Sequence, residues 1–127
     1  MSKFILIGAG GFVGAVLRYV VSGAAQSLSH SAGFPYGTLV VNLSGCLIIG
    51  FLARLADLQG LFSADARLFL FIGVLGAFTT FSTFGNETYA LLQGGEIGLA
   101  LLNVGASVLA GLAAVWVGHG LATWIAF

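Results

Sequence analysis

Four apolar stretches, each long enough to cross a lipid bilayer, occupy most of this chain and limit what it can fold into. They cover residues 4–25, 36–55, 67–92 and 97–125. A helix needs about 20 apolar residues to cross a hydrocarbon core roughly 30 Å thick. Lipid cannot satisfy backbone N–H and C=O groups, so we expect each stretch to be helical. The sequence therefore predicts an all-α integral membrane protein in which residues 1–127 form a single four-helix transmembrane domain.

The charged residues are too few to cover a soluble protein of this length. They make up 6% of the chain, whereas soluble proteins carry about 25%. The four cations and four anions are scattered, so we expect no basic face for nucleic acid. The single cysteine, Cys46, excludes an internal disulfide. These observations point to a lipid environment and to partners other than nucleic acid.

The third stretch carries a polar cluster at its centre, with the sequence Thr79-Thr80-Phe81-Ser82-Thr83-Phe84. Apolar residues flank it on both sides, which places it near the middle of the membrane. Successive hydroxyl residues near glycines favour a helix that is broken at mid-membrane. Such a break is tolerated only where protein or a water-filled cavity surrounds it. The alternative is a continuous helix with a polar face packed against another helix.

A break at this point would expose groups that bind ions. Free carbonyls at residues 76–79 suit a small hard cation, and the N-terminal end of the following half-helix suits an anion. Phe81 and Phe84 lie three residues apart and share a helix face. Their ring edges are positive and can stabilise an anion weakly, as conduction requires. The alternative for this pair is ordinary aromatic packing.

Further polar residues lie within the other apolar stretches. The Asn42 amide can donate to an anion or form an interhelical hydrogen bond, and Thr38 lies one turn before it. Ser107 lies one turn after Asn103 in the fourth stretch. The charged residues Arg18 and Glu87 are costly inside a membrane, so we expect them to face a cavity or to pair with each other.

The chain resembles the Fluc (CrcB) family of bacterial fluoride channels. Three segments carry the resemblance, which covers essentially the whole length: Gly10-Gly11-Phe12-Val13-Gly14-Ala15-Val16-Leu17-Arg18-Tyr19, Gly37-Thr38-Leu39-Val40-Val41-Asn42, and Thr79-Thr80-Phe81-Ser82-Thr83-Phe84 followed by Glu87. The resemblance implies an antiparallel, dual-topology homodimer in the bacterial cytoplasmic (inner) membrane. It also implies passive, highly selective export of fluoride from the cytoplasm, which lowers fluoride concentration and toxicity.

The resemblance also implies roles for individual residues. The fluoride pore would be lined by Asn42, Phe81, Phe84, Thr38, Ser82, Thr83 and Ser107. A structural sodium ion at the dimer interface would be held by the backbone carbonyls of Gly76 and Thr79 from both subunits. Arg18 would lie near the vestibule and Glu87 near the pore. Ala77 departs from the family pattern, because many relatives have a glycine there.

Two other functions fit a short four-helix membrane protein. A multidrug or cation antiporter needs an acidic residue in its first helix, where this chain has Arg18 and no acid. A structural membrane subunit would explain the many glycines but leaves the cluster from Thr79 to Phe84 unexplained. We expect no enzymatic activity, because Glu87 has no histidine or second acid at a suitable spacing.

Overall fold

Four helices long and apolar enough to cross a membrane make up the chain. The structure is a computed structural model that describes residues 2–126. Residues 1 and 127 of the predicted domain lie outside the described residues. We refer to these helices as the first to fourth spans: Ser2–Ser29, Tyr36–Gln59, Ala64–Gln93 and Ile97–Ala126. The prediction of four transmembrane helices is confirmed, and the chain is a multi-pass membrane protein.

Several spans run beyond their apolar stretches. The first continues to Ser29 instead of residue 25, and the second to Gln59 instead of residue 55. Polar residues at these ends continue the helix towards the membrane surface, where water can satisfy them. Gly60 then ends the second span in the left-handed conformation (φ 61°), which glycine adopts without steric cost.

The third and fourth spans are each built from several helical segments. Their bounds are Ala64–Arg67, Leu68–Leu75, Gly76–Phe78 and Phe81–Gln93 in the third span, and Ile97–Gly105, Ala106–Ala110 and Gly111–Ala126 in the fourth. Leu68–Leu75 and Ala106–Ala110 have wider π-helical turns. At the first of these, the Gly76 N–H donates to the Phe71 carbonyl five residues back, which is the π-helical pattern.

The third span is interrupted at Thr79 and Thr80. Their backbones are extended, with φ −83° and ψ 159° at Thr79 and φ −151° and ψ 123° at Thr80. The helix restarts at Phe81, where the Thr80 side chain caps it by accepting from the Thr83 N–H. The predicted break is therefore confirmed. It divides the span into a first half that ends at Phe78 and the half-helix Phe81–Gln93.

Glycines set the closest approaches between spans. Gly10 and Gly14 of the first span lie directly against the backbone of the third span around Gly73 and Val74. Gly50 of the second span lies against Val115 of the fourth. The first span thus packs on the first half of the third, and the second packs on the fourth. Small residues at these contacts allow the close backbone packing typical of membrane helices.

The loop between the first and second spans is fixed by one side chain, Gln26. Its amide nitrogen donates to the carbonyls of Ser31 (2.6 Å) and Phe34 (3.1 Å). Its amide oxygen accepts from the Gly37 N–H at 3.0 Å. These three bonds satisfy two loop carbonyls and the Gly37 N–H at the start of the second span, and they hold the loop against the end of the first.

Candidate functional site

The break in the third span is bridged by Asn42 of the second span. The Asn42 Nδ2 donates to the Thr80 carbonyl at 2.9 Å, and the Thr80 N–H donates to Asn42 Oδ1 at 2.8 Å. In a continuous helix that N–H would pair with the Gly76 carbonyl. Asn42 therefore replaces a backbone partner and stabilises the extended segment. The interhelical hydrogen bond considered for Asn42 is confirmed, and its role as an anion donor stays a prediction.

Hydroxyl groups cluster at the start of the half-helix. The Thr80 hydroxyl donates to Thr83 Oγ1 at 3.0 Å, and Ser82 Oγ lies 3.5 Å from Thr80 Oγ1. Ser82 and Thr83 are both exposed in the single chain. Mid-membrane hydroxyls that face away from the chain's own core are available to an ion or to another protein surface.

Phe81 and Phe84 lie side by side, as their spacing predicts. Their ring centroids are 5.5 Å apart and the ring planes are tilted by 48°. Phe81 is 83% exposed, whereas Phe84 is half-buried. The pair forms an aromatic surface immediately after the break, next to the hydroxyl cluster.

Glu87 pairs with Thr38 rather than with Arg18. The Thr38 hydroxyl, which is buried, donates to Glu87 Oε1 at 2.8 Å. The second carboxylate oxygen of Glu87 is buried without a hydrogen-bond partner. The Arg18–Glu87 pair allowed by the sequence is therefore not formed, and Thr38 supplies the contact because it faces the half-helix from the second span.

Two cavities with mixed polar and apolar walls lie near Thr38, and the smaller one reaches the break. The larger, about 700 Å³, runs from the loop around Phe34 to Thr38 and Glu87. The smaller, about 370 Å³, is bordered by Arg18, Thr80 and Thr83. Thr38 lines both cavities. Arg18 therefore faces a cavity, as expected for an intramembrane charge, and the two cavities share Ser22, Gly23 and Thr38 in their walls.

The fourth span supports the half-helix through Asn103. This buried side chain donates to Thr88 Oγ1 at 2.9 Å, and the Thr88 hydroxyl donates to the Phe84 carbonyl at 2.7 Å. Ser107, one turn later, takes no part in these bonds, and its hydroxyl is buried without a partner. The structure thus places Asn103, instead of Ser107, in contact with the half-helix. Sequence reasoning named Asn103 but missed Thr88, because a threonine within a helix gives no signal of an interhelical bond.

The backbone before the break leaves the carbonyl of Gly76 without its helical partner. The Thr79 N–H and hydroxyl both turn back to the Leu75 carbonyl, at 3.1 and 3.0 Å. The Gly76 carbonyl lacks its helical partner, because the Thr80 N–H is bound to Asn42. Within residues 2–126, no group of three His, Cys, Asp or Glu side chains is placed to hold a metal. A cation here would be bound by carbonyl oxygens, which hard cations prefer.

The fold and site together define a compact multi-pass helical membrane protein with one interrupted span beside a cavity that holds an arginine. The family described as CrcB-like protein, Camphor Resistance (CrcB), matches residues 5–119, and the chain belongs to this family. The resemblance inferred from three short segments is therefore confirmed.

Relatives with similar sequences carry one common name. A fluoride-specific ion channel FluC of Thermus thermophilus is 48% identical over 121 residues, which are 95% of each chain. Fluoride-specific ion channel FluC 1 of Methanosarcina acetivorans is 47% identical over 118 residues, 93% of this chain and 88% of the relative. FluC of Elusimicrobium minutum is 48% identical over 120 residues, 93% of this chain and 91% of the relative. The similarity therefore includes all four spans and the break.

Proposed function

We propose that this protein is a passive ion channel selective for fluoride. The observation that carries the proposal is the identity of 48% over 95% of both chains with a relative named a fluoride-specific ion channel. The structure adds a physical basis, since the third span is interrupted at Thr79 and Thr80, between a cavity that Arg18 borders and an aromatic pair. Passive conduction requires only a pathway in which the ion is bound weakly at several points.

The residues beside the break can offset the cost of dehydrating fluoride. Moving an unpaired ion into a low-dielectric medium costs tens of kcal/mol on an idealised estimate. A hydrogen bond to a charged group contributes roughly 1.5–3 kcal/mol. Donors are available from the second Nδ2 hydrogen of Asn42 and from the hydroxyls of Ser82 and Thr83. The ring edges of Phe81 and Phe84 would add weak attraction, and a narrow pore would reject the larger chloride.

The two cavities would serve as the vestibule of this pathway. Arg18 borders the smaller cavity and supplies positive charge that raises the local anion concentration. Thr38 lies between the two cavities and would continue the polar lining towards Glu87. Ser107 borders neither cavity in the single chain and its hydroxyl is buried, so its place in the pore is proposed from the family resemblance alone.

We propose that two copies pair antiparallel and form two pores. Across Phe81–Gln93 no residue is buried within the single chain. This half-helix exposes Ser82 and Thr83 at mid-membrane, where polar groups facing lipid are unfavourable. A second copy would cover it, and antiparallel pairing would bring the two breaks together on the symmetry axis.

A sodium ion at that axis would be held by the Gly76 and Thr79 carbonyls of both subunits. Its charge would stabilise the carbonyl dipoles that the break leaves unpaired. Removing sodium should lower fluoride flux and destabilise the dimer, as measured by efflux and by dimer dissociation in sodium-free buffer with a large organic cation replacing sodium. Unchanged flux and unchanged dimerisation without sodium would contradict the carbonyl site.

We propose a bacterial cytoplasmic (inner) membrane location and a role in lowering cytoplasmic fluoride. The four membrane-crossing helices and the fluoride-specific relatives support this proposal. A passive channel would relieve cytoplasmic fluoride because the membrane potential, negative inside, drives anions outwards. Growth of cells lacking the channel should then become more sensitive to added fluoride, and expression of this chain should restore resistance.

Fluoride efflux from liposomes that contain the purified protein tests the proposed activity. We expect rapid fluoride loss and little chloride loss from otherwise identical vesicles. Asn42→Asp should reduce fluoride flux roughly tenfold or more, because it replaces a donor worth about 1.5 kcal/mol to a bound anion with an acceptor oxygen. Phe81→Ile should also reduce fluoride flux, by a smaller factor, because the ring edge attracts the anion weakly. Phe12→Ile is the matched control, because Phe12 is 72% exposed on the first span and lies outside the cavities.

The outcome also separates the alternatives. A well-folded, reconstituted protein without fluoride flux would contradict the channel and favour an antiporter or a structural subunit. Proton-coupled movement of organic cations would identify an antiporter, although the first span carries Arg18 and no acidic residue. Co-purification with a larger complex, in the absence of any flux, would identify a structural subunit.

A further inference from the structure

A groove of about 560 Å³ lies away from the break, where the first span begins, the second ends and the third begins. None of the residues proposed for the fluoride pathway contributes to it. Its lining consists of Lys3, Ala53, Asp57, Ala64, Arg67, Leu68, Phe71 and Ile72. Because three span ends meet here, the groove lies at the level of the membrane surface.

The groove is charged near the span ends and apolar deeper in the membrane. Lys3 and Arg67 provide two positive charges and Asp57 one negative charge, and all three side chains are exposed. Phe71 and Ile72 follow Arg67 by about one turn, so they extend the wall towards the membrane interior. The net positive rim suits a phosphate diester, and the apolar wall suits an acyl chain.

We propose that this groove binds one anionic phospholipid of the surrounding leaflet. The lipid phosphate would contact the Lys3 ammonium and the Arg67 guanidinium, whose planar fork matches phosphate oxygens. One acyl chain would lie along Phe71 and Ile72. A zwitterionic lipid binds more weakly, because its own cation competes with Lys3 and Arg67 for the phosphate and is repelled by them. Basic pockets between transmembrane helices recognise anionic headgroups in this way.

The proposal is independent of fluoride conduction and is tested on lipid binding itself. Native mass spectrometry of the purified protein with added phosphatidylglycerol or phosphatidylcholine gives the affinity for each lipid. We expect tighter binding of phosphatidylglycerol. Lys3→Gln and Arg67→Gln should each weaken it roughly fivefold, since one cation near an anionic lipid surface contributes about 1 kcal/mol.

Two further variants keep the test decisive. Arg54→Gln removes a cation from the same end of the spans, but Arg54 lies outside the groove and its Nε donates to Thr123 Oγ1 at 3.1 Å. It should leave the preference for phosphatidylglycerol unchanged. Asp57→Asn removes the one negative charge among the described residues that line the groove, and should strengthen phosphatidylglycerol binding several-fold.

Three results would overturn the proposal. One is equal binding of the two lipids, and another is an equal loss in Arg54→Gln and Arg67→Gln. The third is competition by soluble glycerol 3-phosphate at the same concentration as the lipid, which would show a phosphate site that does not use the acyl chain.

Discussion

At the residue scale, Asn42 combines a structural role with the chemistry proposed for the pore. Its side chain satisfies both the N–H and the carbonyl of Thr80. A carboxamide has two N–H donors and an oxygen with two acceptor sites, so these two bonds leave one donor free. The interhelical bond and an anion contact therefore do not exclude each other. The residue that holds the break open can also present a donor to the ion.

Substitution of Asn42 should reveal its structural role. In Asn42→Leu both backbone groups of Thr80 lose their partner, and leaving a buried polar group unsatisfied costs about 1–3 kcal/mol. We expect the free energy of unfolding to fall by about this amount, as measured by denaturant titration in mixed micelles. Asn42→Asp should lose at least as much, because its second carboxylate oxygen faces the Thr80 carbonyl, which is also an acceptor, and its charge lies inside the membrane.

Ser44→Ala provides the control for this series. The Ser44 hydroxyl donates to the Val41 carbonyl within the same helix, so its loss should change stability by less than about 0.5 kcal/mol. An Asn42→Leu variant as stable as the Ser44→Ala variant would show that the break does not depend on the second span.

The part of the site that is local in sequence could be predicted, and the long-range pairs could not. Phe81 and Phe84 are neighbours because helix geometry places residues three apart on one face. Thr38 and Glu87 are 49 residues apart in sequence. Their contact depends on the rotation and depth of two spans, which hydropathy does not specify. The same holds for Arg18, which could have met Glu87 but faces a cavity with Thr80.

At the element scale, glycines determine how closely the first span approaches the interrupted one. A side chain at Gly14 would collide with the Val74 carbonyl and would come within 3.0 Å of the Phe78 N–H. Phe78 is the last helical residue before the break. The first span is therefore packed directly against the segment that holds Gly76 and the extended Thr79.

Gly14→Ala should disturb this contact. The added methyl group meets backbone rather than a flexible side chain, so the spans must separate, and overpacking of this kind costs about 1–3 kcal/mol. We expect a lower unfolding midpoint and reduced fluoride flux. Gly11→Ala is the control, because an added Cβ there meets nothing within 4 Å and alanine favours a helix interior by about 0.5–1 kcal/mol. Equal behaviour of the two variants would contradict the close packing at Gly14.

The elements themselves were largely predictable, with one class of exception. Hydropathy identifies the four spans, and the polar cluster identifies the break. The π-helical turns at Leu68–Leu75 and Ala106–Ala110 have no such signal. The residues of both segments are apolar or small, and either kind of turn can bury such residues. The sequence pattern therefore does not distinguish a π-helical turn from an α-helical one. Only the packing of the neighbouring spans selects between them.

At the scale of the whole molecule, the charges give little preference for either orientation in the membrane. Lys3, Arg54 and Arg67 lie at one end of the spans, whereas Arg18 lies deep within the first span. Positive charges near span ends favour the cytoplasmic side, so the bias towards a cytoplasmic N-terminus rests on three residues. A bias this small is compatible with insertion in both orientations, which the antiparallel dimer requires.

Fixing the orientation tests the antiparallel dimer. Gln59→Lys with Leu61→Lys adds two cations at the end that already holds Arg67, and should fix the N-terminus in the cytoplasm. Ser27→Lys with Leu28→Lys, combined with Lys3→Gln and Arg67→Gln, leaves Arg54 at that end against two added lysines at the other, and should fix the opposite orientation. The four added lysines replace exposed residues at span ends or in the loop after the second span, and none of these residues lines either of the two cavities beside Thr38, so folding of each protomer should be preserved.

Each fixed variant expressed alone should lose nearly all fluoride flux, because every copy then has the same orientation and no antiparallel partner exists. Co-expression of the two variants should restore flux to near the wild-type level, and accessibility of an N-terminal tag from each side of the membrane verifies the orientations. Full flux from one variant alone would show that copies of a single orientation form the pore. In that case the half-helix Phe81–Gln93 must be covered, in the conducting state, by a parallel partner or by its own chain. The proposed binding of one cation by Gly76 and Thr79 of two antiparallel subunits would then also be wrong.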